Sequence, residues 1–219
     1  MDGIFDFIKE LVNPESIIRY GGIYLLLFVV FAETGLFVGF FLPGDSLLFT
    51  AGLFCSTGIL QIHPLVLIIL IVTAAVSGNM VGYSFGKRVG PLLFKRKSGF
   101  FFRQEHLVTA NAFYVKHGRK TIILSRFLPI VRTFAPIVAG IVKLEYHKFF
   151  VYSLVGALLW VSSLVLAGYF MGQYIPGIQE YLEYIVIFLI VITSIPFIYN
   201  YIKKKFGNRT HPLKQEESI

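Results

Sequence analysis

The chain has 219 residues, 56% of them hydrophobic and only 15% charged, with a mean hydropathy of +0.73. A water-soluble domain carries about a quarter charged residues, so the composition excludes an ordinary soluble protein and makes lipid the expected solvent. The net charge of +8 does not point to nucleic acid, because it is held in blocks: Lys87, Arg88, Lys95, Arg96, Lys97, Arg103, Lys116, Arg119 and Lys120 in one polar interlude, then Lys203, Lys204, Lys205, Arg209 and Lys214 after the last apolar run. Basic blocks beside apolar spans mark the cytoplasmic side and attract anionic headgroups.

Residues 1–20 are expected to form an N-terminal interfacial helix, and Asp2 and Asp6 stand where a signal peptide needs basic residues, so no cleavable signal is expected. Residues 21–59 are too long for one span and are broken between Gly39 and Asp45, which predicts a re-entrant hairpin with Pro43 and Gly44 at its break. Residues 64–86 form one span of 23 residues, long enough to cross. The stretch 103–117 reads as an interfacial amphipathic helix, with Leu107, Ala110, Phe113 and Tyr114 on one side. Residues 121–142 are apolar but interrupted by Arg126, Pro129, Arg132 and Pro136, which predicts a second re-entrant hairpin with the two prolines as breaks. Two further spans, 147–172 and 183–202, precede a polar tail at 206–219 that is expected to be disordered.

The chain repeats itself. Phe41-Leu42-Pro43 recurs as Phe127-Leu128-Pro129, and Gly82-Tyr83-x-x-Gly86 recurs as Gly168-Tyr169-x-x-Gly172, both at an offset of 86 residues. Two matches at one offset indicate an internal duplication. A hairpin plus one full span crosses an odd number of times, so the second half is expected upside down relative to the first, as in inverted-repeat transporters. The fold class expected is an all-α integral membrane protein: an inverted repeat of re-entrant hairpin plus transmembrane helix over residues 21–175, with an extra C-terminal transmembrane helix. The basic interlude and the C-terminus then lie in the cytoplasm. The Gln173–Glu183 loop, which holds Glu180 and Glu183 but no Lys or Arg, lies outside. The N-terminus lies outside if 21–59 is a hairpin, and inside if it is a true span followed by a short re-entrant loop.

Glu33 and Asp45 fall in the first broken segment, Arg126 and Arg132 in the second. Each charge costs about 2.5–3.5 kcal/mol at bilayer depth on insertion scales, and irregular backbone is tolerated there only where protein buries it or a wet cavity receives it. Charges coinciding with breaks in both halves therefore predict one shared polar cavity. Two readings stand side by side. In the structural one Asp45 and Thr133 cap helices, and the arginines snorkel or pair with Glu33 and Asp45. In the functional one Arg126 and Arg132, with Thr133, grip phosphate oxygens through forked, charge-assisted bonds, aided by free amides at helix starts. Glu33 and Asp45, whose charged forms a low-dielectric cavity disfavours, then serve proton coupling or gating. Gly78, Gly82, Gly86 and Gly90 recur every fourth residue and are expected to pack helices closely. Cys55 is the only cysteine, and His63, His106, His117, His147 and His211 have no metal-ligand spacing. Neither a metal nor a cofactor is expected. No histidine falls in either hairpin to act as a phosphatase nucleophile or acid, so no enzyme activity is expected either. Trp160 and most tyrosines fit packing or interface anchoring.

Three runs together, Phe31-Ala32-Glu33-Thr34-Gly35 through Pro43-Gly44-Asp45, Gly82-Tyr83-x-x-Gly86, and Arg126-Phe127-Leu128-Pro129-x-x-Arg132-Thr133-x-x-Pro136-x-x-Ala139-Gly140, resemble the DedA family of the wider SNARE-associated-Golgi or VTT-domain group. The resemblance covers roughly residues 20–175. It implies a bacterial inner-membrane protein acting in undecaprenyl phosphate recycling, with eukaryotic relatives that scramble phospholipids. It also implies that the essential acidic pair is Glu33 and Asp45 and the essential arginine pair Arg126 and Arg132. The function expected is therefore lipid-phosphate translocation, with lipid phosphate, protons and the bilayer as partners. General phospholipid scrambling, proton-coupled export of small cations and a role in membrane-protein assembly are the alternatives.

Overall fold

The computed structural model describes residues 14–36, 44–95, 122–123, 125–127, 129–175, 177–181, 184–185 and 188. The expected interfacial helix at 103–117, most of the span 183–202, the tail 206–219 and Pro43 lie outside the described residues.

Among the described residues five α-helices carry the fold, and no strand occurs. The first, α1 (Pro14–Gly35), opens on a proline, whose missing N–H costs nothing at a helix start. Gly22 interrupts it with φ 56°, a left-handed backbone that glycine alone adopts freely, so a short polar leg is set off from the apolar leg Gly21–Gly35. Helix α2 (Gly44–Ser56) is buried from Ser46 to Phe54. Helix α3 (Pro64–Lys95) is followed by a 3-10 turn, Ser125–Phe127, and by α4 (Pro129–Ile141). Helix α5 (Tyr146–Tyr174) follows, and a further 3-10 turn spans Ile178–Tyr181.

Length separates the helices into two kinds. Helices α2 and α4 have 13 residues each, a rise of about 20 Å, which falls short of a ~30 Å hydrocarbon core. Helices α3 and α5, with apolar stretches at Pro64–Gly90 and Tyr146–Tyr174, are long enough to cross. Only 50% and 39% of their most apolar windows are buried in the protein. A core helix of a soluble protein would hide more of such a surface, and the exposed remainder is apolar surface suited to lipid. Exposed Ile69, Phe85, Leu159 and Phe170 belong to that surface.

Packing interleaves the two halves. Helix α2 lies on α5, while α4 and α1 lie on α3. The repeated glycines sit at these crossings: a Cβ at Gly86 would overlap the Ile137 carbonyl oxygen of α4, and one at Gly168 the Phe49 carbonyl oxygen of α2. Gly78 meets the end of α1 in the same way, and Gly90 meets Ile141. Two sequence expectations change in detail. The span predicted at 64–86 continues as helix through exposed Lys87 and Arg88, whose long stems let their charges reach water. Pro136, predicted as a break, lies inside α4, where its ring is buried against the face of α3 at Gly82. The break in this segment falls earlier, where the 3-10 turn gives way to α4 at Pro129.

Candidate functional site: a buried charge centre between the halves

Each charge expected at membrane depth sits in or beside the end of a described helix. Glu33 is in the last turn of α1 and Asp45 in the first turn of α2. Arg126 belongs to the 3-10 turn before α4, and Arg132 to the first turn of α4. Helix starts carry free backbone amides, so these are places where a polar group finds partners without leaving the protein. Glu33, Arg126 and Arg132 are buried, and Asp45 is partly exposed.

Arg132 joins the two halves. Its Nη1 donates to Asp45 Oδ1 at 2.7 Å, and its Nη2 donates to Glu33 Oε1. Asp45 Oδ1 also accepts from Trp160 Nε1 at 2.8 Å, and the Arg132 guanidinium lies 4.4 Å from the centre of the same indole. Asp45 is thus held by side chains of α4 and α5. Glu33 packs its carboxylate against the Gly44 backbone, where any Cβ would overlap it. That contact requires glycine at the start of α2. Two carboxylates and one guanidinium leave this cluster with a formal excess of one negative charge.

Arg126 has a different environment. It forms no ion pair among the described residues. Its Nη2 donates to the Ser153 carbonyl at 3.0 Å and to Ser153 Oγ at 2.8 Å, while Nη1 has no hydrogen-bond partner there. A small pocket opens beside it between α3, α4 and α5, lined by Asn79, Ser125, Arg126, Arg132 and Ser153 among apolar neighbours. Arg132 Nε is also unpartnered. A buried donor without an acceptor is costly, and the two residues that carry these donors both line the pocket. Thr133 is buried one residue beyond Arg132, outside the pocket lining. No cluster of metal-ligating side chains occurs among the described residues.

Three members of the site went unread in the sequence. Trp160, expected to pack or to anchor at an interface, is buried and bonded to Asp45. Asn79 and Ser153 lie within long apolar runs, where a lone amide or hydroxyl is the one available signal that a helix face is not plain hydrocarbon.

An all-helical scaffold with a lipid-facing belt and a buried charge centre defines a helical membrane protein. The VTT domain model matches residues 42–170. The chain is 45% identical over 208 residues to Protein DedA of Escherichia coli, covering 92% of this chain and 94% of that protein. It is 39% identical over 185 residues to an uncharacterized membrane protein of Mycobacterium leprae, covering 84% and 82%. It is 30% identical over 209 residues to the inner membrane protein YqjA of Escherichia coli, covering 92% of each. The chain belongs to the VTT-domain (DedA) family. No solved structure matches it.

Proposed function

We propose that the protein is a translocase of lipid phosphate that returns undecaprenyl phosphate across the bacterial inner membrane, with Glu33 and Asp45 coupling the movement to protons. The observation that carries this reading is Arg126: a buried guanidinium with no carboxylate partner among the described residues, one free nitrogen, and a pocket in front of it. Leaving a permanent cation in that state is costly unless an anion visits it. A phosphate headgroup supplies the matching oxygens, and its lipid tail remains in the hydrocarbon that the exposed belt already faces.

The acidic cluster gives the cycle its second state. Arg132 is shared between Glu33 and Asp45. Protonating a carboxylate frees part of the guanidinium for the phosphate, and losing the proton lets the carboxylate compete it away. The same reading takes α2 and α4 as re-entrant elements of an inverted repeat, in a multi-pass protein with a cytoplasmic C-terminus.

The test is reconstitution into liposomes with labelled undecaprenyl phosphate under an imposed pH gradient. Wild type is expected to move the label between leaflets, Arg126→Ala to lose at least tenfold in rate, and Glu33→Gln to lose its response to the gradient. Equal movement of ordinary phospholipid would make the protein a general scramblase. No movement of labelled lipid phosphate by wild type would overturn the proposal.

A further inference from the structure

Asn79 on α3 and Ser153 on α5 are both buried in apolar spans. A polar side chain in such a place is unfavourable unless it is bonded. Asn79 Nδ2 donates to Ser153 Oγ at 2.8 Å, and Arg126 Nη2 donates to that same oxygen at 2.8 Å. A serine hydroxyl has two lone pairs and one hydrogen. Both lone pairs are taken by incoming donors, so the hydrogen is left for an acceptor in the pocket that Ser153 lines.

The guanidinium is fixed by the same contacts. Nη2 is held by the Ser153 carbonyl and hydroxyl together. One turn along α5, Gly156 leaves room for the arginine stem, since a Cβ there would stand 3.1 Å from Arg126 Cγ. With one nitrogen anchored and the stem seated, the planar fork has a set orientation, and Nη1 remains without a partner. A bond between Asn79 and Ser153 alone would serve to join two spans. It does not account for an arginine held by one nitrogen with the other left bare toward a pocket.

We infer that Asn79 and Ser153 are positioning residues for an anionic headgroup: they form a buried prop that aims Arg126 Nη1 and the Ser153 hydroxyl at one phosphate oxygen site. The inference rests on the lipid-phosphate reading above and adds to it the residues that orient the arginine.

The experiment uses the full-length protein in liposomes with labelled undecaprenyl phosphate, separating the half-saturating lipid concentration from the maximal rate, on protein recovered as a single folded species. Ser153→Ala is expected to raise the half-saturating concentration about tenfold, as for loss of a hydrogen bond to a charged group, with a smaller change in maximal rate. Ser153→Thr, which keeps the hydroxyl, is expected to restore most of the affinity. Asn79→Asp preserves shape but puts a carboxylate beside Arg126, where it competes with phosphate, and is expected to weaken binding more than Ser153→Ala. If Ser153→Ala is not recovered folded, the isosteric Asn79→Asp decides. Wild-type half-saturation in Asn79→Asp, or in Ser153→Ala when that variant folds, overturns the inference while leaving the translocase reading intact. A wild type that moves no lipid phosphate overturns both.

Discussion

Arg132 meets two carboxylates and the face of an indole at once, and that combination is specific to a guanidinium. Its planar fork sends separate nitrogens to Glu33 and Asp45 while the flat cation lies against Trp160. An ammonium is a compact point charge without the fork. Arg132→Lys is therefore expected to leave one carboxylate poorly answered and to cost about 1.5–3 kcal/mol. The measurement is thermal unfolding in detergent, with Trp160→Phe beside it. The phenylalanine variant keeps an aromatic face but loses both the donor to Asp45 and part of the buried ring, so it should cost a similar amount, about 1.5–3 kcal/mol. An Arg132→Lys protein that melts like wild type would show that the fork is not what holds the halves. The charged residues were legible in the sequence because lipid makes every unexplained charge conspicuous. Their pairing was not. Glu33 and Asp45 on one side and Arg126 and Arg132 on the other allow several matches. The choice of Arg132 for both acids depends on where Trp160 and Ser153 stand on a helix far along the chain.

At the scale of elements, small residues decide how closely helices cross. Gly86 and Gly168 belong to the two copies of the Gly-Tyr-x-x-Gly motif, as its second and its first glycine, and each faces a backbone carbonyl of the 13-residue helix from the other half. Backbone has little freedom to retreat, so a methyl group there must push the helices apart. Gly86→Ala and Gly168→Ala are each expected to cost about 1–3 kcal/mol, in the range of overpacked cores. Gly82→Ala should be milder, since its nearest neighbour is the Pro136 side chain at 3.2 Å from the added atom. Thermal unfolding of the three variants checks the ranking, and equal melting temperatures would undo this account of the crossings. The glycine period showed that a close-packed face exists along α3, but not what covers it. That α4 packs on α3 and α2 on α5 follows from contacts across the whole chain, which a local period cannot report. Pro136 misled for a related reason. A proline reads locally as a break, yet α4 accommodates it and uses the ring as packing surface.

For the molecule as a whole, the packing fixes which loops share a side. In the second half of α3, Tyr83 stacks on Phe149 at 5.0 Å and donates to the Leu144 carbonyl at 2.5 Å, so that half of α3 lies beside the start of α5. At the opposite end, Gly172 of α5 meets Ser56 and Leu53, and Ile178 packs in one cluster with Leu60 and Ile62. The two long helices therefore run antiparallel. Lys87, Arg88, Lys143 and Lys148 gather at one end, while the turns at 57–63 and 175–181 at the other hold no lysine or arginine. Retention of positive charge in the cytoplasm predicts that the lysine end faces inward. The check is cysteine labelling in sealed cells after Cys55→Ala, using a reagent that does not cross the membrane. Ile59→Cys and Tyr181→Cys, at exposed positions, are expected to react from outside. Lys148→Cys is expected to react only once the membrane is opened. Labelling of Lys148→Cys in intact cells, with Ile59→Cys protected, would invert the orientation.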